Sequence, residues 1–154
     1  MTTYDVEEIE DKIILALDTL IDTLGIRTVK TYQGELEADD ISRIVMLFPA
    51  VYIVYGGSTY ADHGARKVET LTFHVLVCDK SLRAEDEARR GGARNPGTYA
   101  MLEGVRDALY GSQLTLDIYP MKLVSQASIW FGDGVSVYGA QYETSQALLY
   151  PATV

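Results

Sequence analysis

Val6, Ile9, Ile13, Ala16, Leu17, Leu20 and Leu24 recur at three- and four-residue steps, which predicts a helix with one buried face. Asp5 followed by Glu8 suits a capping box at its start, and Gly25 suits its stop. Ile14 and Leu15 fall outside the apolar stripe, so the far face is expected to stay partly apolar. "RTVKTY" (27–32) alternates like a short strand, and "ADDISRIVMLF" (38–48) sets Ile41, Ile44, Val45 and Phe48 at helical steps ahead of Pro49. "AVYIVYGG" reads as a strand apolar on both faces, hence central, closed by Gly56 and Gly57. A hairpin loop over 57–64 then leads into "KVETLTFHVLVC", where Leu71, Phe73, Val75 and Val77 point one way and Thr70, Thr72 and His74 the other.

Beyond the charged stretch "RAEDEARRGGARNPG" (83–97), Pro96 suits a helix start. Tyr99, Leu102, Val105, Ala108 and Leu109 give a second amphipathic helix that stops at Gly111. Two long alternating runs, "MKLVSQASIWF" and "VSVYGAQYETSQALLY", are joined by "GDG" (132–134), a hairpin turn. The order is helix, strand, short helix, strand, strand, helix, strand, strand. It predicts an α+β fold, a mainly antiparallel sheet with helices packed on one face, in one domain over 1–154 with a long charged loop at 79–96. Phe73 and Leu102 are expected to pack between sheet and helix.

Composition narrows the function classes. With 154 residues, 47% of them hydrophobic and 23% charged, the chain can bury a core without staples. Its single cysteine, Cys78, excludes an intramolecular disulfide framework and reads as a small core residue at a strand end. The acidic start "MTTYDVEEIEDK" is unlike a signal peptide, and no apolar run approaches the roughly 18 to 20 residues that span a bilayer. The expectation is a protein neither exported by that route nor embedded.

Net charge is -9, and residues 1–40 hold 11 acids against the three bases Lys12, Arg27 and Lys30. Such a balance disfavours general nucleic-acid binding, which runs on neutralisation by lysine and arginine. The bases gather instead around the charged stretch: Lys80, Arg83, Arg89, Arg90 and Arg94 against Glu85, Asp86 and Glu87.

Catalytic chemistry finds no residue set. His74 lies on the polar side of a strand, and His63 sits beside Asp62 in "YADHGARK" with no nucleophile elbow nearby. One cysteine and two histidines eleven residues apart do not make a tetrahedral metal site. Glu7, Asp11, Asp18 and Asp22 on the first helix read as a solvated acidic face. "GGARNPG" precedes a helix but lacks the phosphate-loop pattern, and Pro96 removes an N–H that a phosphate would need. Eleven tyrosines without a basic groove suit sheet packing or a protein interface better than base stacking. No cofactor and no enzymatic activity are expected.

"FPAVYIVYGG" after a short helix, "ETLTFHVLVCD" running into a charged loop, the "YAMLEGVRDALYG" helix and the closing strand pair together resemble the Mu-like prophage tail proteins related to tail terminators. Lambda minor tail protein U is the familiar fold relative. The resemblance covers nearly the whole chain and rests on element order rather than a strict motif. It implies a non-enzymatic assembly protein of the virion tail, made in the host cytoplasm, that forms a homo-oligomeric ring, a hexamer in this family, on the last disc of the tail tube protein and meets a neck or connector protein. Ring closure needs two different patches to meet on neighbours. The residues expected at that contact are Lys80, Arg83, Arg89, Arg90 and Arg94 on one side and Asp11, Asp18, Asp22, Ile14 and Leu15 on the other. The charged loop is then a strap, mobile until a partner orders it; the plain alternative is a connection with no further role. A different neck or head-completion protein, or a small-molecule or regulatory binding module on the same scaffold, are the other classes the sequence allows.

Overall fold

In the computed structural model, residues 2–34, 45–84 and 86–149 are described. The chain opens with helix α1 (Val6–Leu17), and the expected capping box is present: Glu8 N–H donates to the Asp5 carboxylate at 2.8 Å, and Asp5 N–H to the Glu8 carboxylate at 3.3 Å. The single helix predicted from the periodicity breaks at Asp18 and resumes as α2 (Thr19–Leu24), which ends at Gly25. The Thr19 and Thr23 hydroxyls donate back to the Ala16 and Thr19 carbonyls, a pattern that competes with the helical ladder and bends it. Ile9, Ile13, Leu17 and Leu20 form the buried stripe.

Among the described residues, five strands make one sheet: β1 (Thr28–Thr31), β2 (Ala50–His63), β3 (Arg66–Lys80), β4 (Lys122–Gly132) and β5 (Val135–Leu149), in the order β1-β2-β3-β5-β4. Only β1 and β2 run parallel. A short helix α3 (Glu87–Arg90) and helix α4 (Thr98–Leu109) lie between β3 and β4. The α+β fold with a mainly antiparallel sheet is as expected. Most of the short helix predicted at 38–48 lies outside the described residues.

Strand phase follows the alternation. Leu71, Phe73, Val75 and Val77 are fully buried under α1 and α4, joined there by Val51, Ile53, Ala140 and Tyr142, and by Met101, Leu102 and Val105 from α4. Each of the Val, Leu, Ile, Phe and Met side chains among them contributes about 1.5–3 kcal/mol by leaving water. Met101 takes the buried place expected for Tyr99, which is exposed. On the other face, Phe48, Ala50, Tyr52, Cys78, Val135 and Val137 form a second, smaller cluster. The connection from α4 to β4 buries Leu114, Ile118 and Met121 and closes on itself through Gly111 N–H to Met121 O and Met121 N–H to Ser112 O, both 2.8 Å.

The glycine pair does not end β2. Pairing with β3 shifts register between Tyr55 and Gly57 and continues to His63, so the loop expected over 57–64 is strand up to a tight turn before Arg66. A β-bulge takes an extra residue and bends the strand, and Gly57 adopts φ +116° there. A Cβ at Gly56 would meet the His74 imidazole at 2.8 Å. The glycines thus mark a bulge packed on His74, and the hairpin runs on as a projecting ribbon.

Candidate interaction surfaces

Residues 81–84 and 86–97 are organised around one buried carboxylate. Asp79, at the end of β3, is fully buried and accepts hydrogen bonds from Lys80 N–H (2.8 Å), Asn95 Nδ2 (2.9 Å) and Gly97 N–H (2.7 Å). Asn95 Nδ2 also donates to the Glu87 carbonyl (2.8 Å), and the Ser81 hydroxyl to the Glu87 carboxylate (2.8 Å). Burial pushes the Asp79 carboxyl above the ordinary aspartate value of 3.8, while these donors and the neighbouring Lys80 charge pull the other way. Removing this acceptor would strand the buried Gly97 N–H together with the half-buried Lys80 and Asn95 donors.

The glycines of "RRGGARNPG" serve this knot. A Cβ on Gly97 would fall 2.3 Å from Gly91 N, and one on Gly91 2.4 Å from Pro96 O, so the two backbones touch where a side chain cannot fit. Both residues hold positive φ, +85° at Gly97 and +88° at Gly91. Ala88 on α3 is buried. The loop expected as a strap, mobile until a partner orders it, is here tied to the end of β3 by the hydrogen bonds of Asn95 and Gly97 to Asp79, while Arg83, Asp86, Arg90 and Arg94 remain exposed.

The knot forms one wall of an open cleft of about 420 Å³ lined by Arg27, Phe48, Lys80, Leu82, Arg83 and Arg94 among others. Three of the five predicted loop bases come together here. They are joined by Arg27, which sequence reasoning counted with the acidic quarter; its separation of more than fifty positions from Lys80 hides the pairing. Arg27 donates to the Met46 carbonyl at 3.3 Å. Among the described residues, Arg27, Arg83 and Arg94 have no salt-bridge partner; the ion pairs present are Lys67–Asp62 and Arg90–Asp86.

Arg89 and Arg90 stand elsewhere. Arg90 pairs with Asp86 at 3.8 Å. The Arg89 guanidinium lies 5.5 Å from the Phe131 ring centre, and Phe131 in turn packs edge-on to Tyr138, which meets Tyr99. Of the acidic side, Asp11, Asp18 and Asp22 are exposed. Leu15 is 62% exposed, whereas Ile14 packs partly buried against the core. Ile14 therefore belongs to the margin of the core stripe, on the far side of Leu17 from Ile13 around the helix.

Among the described residues no group of three or more histidine, cysteine or acidic side chains stands close enough to hold a metal ion. No helix there is long and apolar enough to cross a membrane. The class that fold and surface define is a single-sheet α+β protein with open charged clefts and long strand edges.

Residues 5–147 match the family described as Bacteriophage Mu, Gp37. The chain belongs to that family, and the resemblance to Mu-like phage proteins read from its element order is borne out. No curated protein matches the chain. Among solved structures, a chain from the virion of a native gene transfer agent particle is similar at 15% identity and a TM-score of 0.43, over 73% of this chain and 88% of that one.

Proposed function

We propose that the chain is a structural tail-assembly protein, a ring-forming tail terminator whose copies, six to a ring, cap the tail tube and join it to the neck. The observation that carries this reading is the gathering of Arg27, Lys80, Arg83 and Arg94 on one cleft of a chain with net charge -9. Membership of a Mu phage family supplies the setting. In a ring, the cleft of one subunit receives exposed carboxylates of the next, with Asp11, Asp18 and Asp22 of α1 and α2 as the complementary set. The remaining acidic surface suits passage of DNA, since no counterions are released by contact between like charges. The protein acts in the virion tail, after assembly in the host cytoplasm, and performs no catalysis.

Rim charges act mainly on association rate and salt dependence, while a desolvated arginine that loses its carboxylate costs about 2–5 kcal/mol. Reversing Arg83 and Arg94 together to glutamate should leave the fold intact, since both side chains are exposed, and abolish capping. Tube length measured by electron microscopy is the readout. Tubes of normal length with this variant would return the cleft to a surface without a partner.

A further inference from the structure

The outermost strand, β4, differs from an ordinary sheet edge. From Leu123 to Gly132 it holds no charged residue and no proline. Open edges are usually blunted by lysine, proline or a covering element, because a bare row of N–H and C=O groups templates another strand. Here Lys122 stands alone at the start of the strand. Val124, Ile129, Trp130 and Phe131 are all between 39% and 55% exposed. They occupy both faces of the strand, and its far end carries the Phe131–Arg89 stack. Aromatic side chains with arginine are the composition of interface hot spots.

We infer that the outer edge of β4 is a docking strand on which a second copy of this chain continues the sheet, its own β2 edge supplying the added strand. Charge favours a second copy: two chains of net charge -9 repel over most of their surface, and an uncharged strand lets them approach without like-charge contact. Geometry favours β2 as the counterpart. β1 covers β2 only from Ala50 to Ile53, so among the described residues Val54–His63 has no strand on that side. That stretch nearly matches the length of Lys122–Gly132. Joining two different edges head to tail repeats around a ring. This order rests on the ring reading above; the stickiness of β4 does not.

The test is amide hydrogen exchange on the full chain across a concentration series, with molar mass followed by light scattering. As the protein passes from monomer to assembly, amides in 123–131 and in 54–63 should gain protection together. Val124→Lys combined with Ile129→Lys, with folding checked by thermal melting, should require about tenfold more protein or greater for half assembly. Assembly that leaves 123–131 unprotected overturns the inference, and so does a folded double variant that assembles like the wild type. Protection of 123–131 without 54–63 overturns the head-to-tail pairing. Protection seen only after tail tube protein is added makes the occupant that protein instead, and a monomer at all concentrations leaves no second copy to dock. Should the double variant not fold, the wild-type exchange pattern alone decides. Arg83→Glu with Arg94→Glu separates the two readings: if it assembles normally while the β4 variant does not, the charged contact fails and the strand contact stands.

Discussion

Segment 81–97 and strand β4 exchange the roles their compositions suggest. The first is among the most charged stretches of the chain, yet it is pinned to β3 through Asp79. The second is uncharged over ten positions, yet it lies on the outside of the sheet with its large side chains half exposed. Burial of a segment depends on where its hydrogen bonds close as much as on its apolar content. A carboxylate at a strand end, two touching glycine backbones and one bridging asparagine suffice to fix a polar loop.

That contrast can be broken by substitution. As the reference for a true core position, Phe73→Ala should cost about 3–5 kcal/mol in chemical denaturation, since Phe73 is fully buried between sheet and helices. Gly97→Ala should come next, at about 2–4 kcal/mol, because positive φ and contact with Gly91 N leave no room for a methyl group. A cost below about 0.5 kcal/mol at Gly97 would mean that the segment is loose after all.

Asp79→Ala should cost about 2–3 kcal/mol by stranding the Gly97 N–H and the Asn95 amide. The pH dependence has a definite sign. Burial holds the Asp79 carboxyl above 3.8 in the folded chain, so the folded state binds this proton more tightly than the unfolded one. Stability from this group is greatest below the ordinary value and falls as pH rises through the raised one. The gap between wild type and Asp79→Ala should therefore narrow over that interval in paired denaturation curves; a gap that widens would contradict the assignment.

On β4 the same measurements should return almost nothing. Trp130→Ser removes a large apolar side chain already 39% exposed and should change stability of the monomer by about 1 kcal/mol or less. The smallest effect belongs to Tyr142→Phe. The Tyr142 hydroxyl is buried without a hydrogen-bond partner among the described residues, and burial pushes its pKa up to about 12. Losing that hydroxyl should be neutral or slightly stabilising, by about 1 kcal/mol at most.

The sequence made most of the architecture legible where periodicity was sustained. The α1 stripe, the phase of Leu71 to Val77 and the β4–β5 hairpin all follow from alternation held over many residues. It misled where one residue type has two uses. Gly56 and Gly57 look like a strand terminator but make a bulge, and Gly91 and Gly97 look like flexibility but permit a backbone contact. The cleft was half legible: Lys80, Arg83 and Arg94 stood out by their clustering, whereas Arg27 reaches the same place only because β1 pairs beside β2, its N–H donating to the Pro49 carbonyl. The exposure of β4 was hidden because an alternating apolar strand reads alike at a sheet's centre and at its edge.

The central claim, that this chain closes on itself into a ring, is tested most directly by molar mass from light scattering over a wide range of protein concentration and salt. A closed six-membered ring gives a discrete species at six times the 17.0 kDa chain mass, without a continuing series of larger ones, and a shift toward monomer when Arg83 and Arg94 are reversed in charge. A monomer under every condition, with tail tube protein present as well as absent, would contradict it.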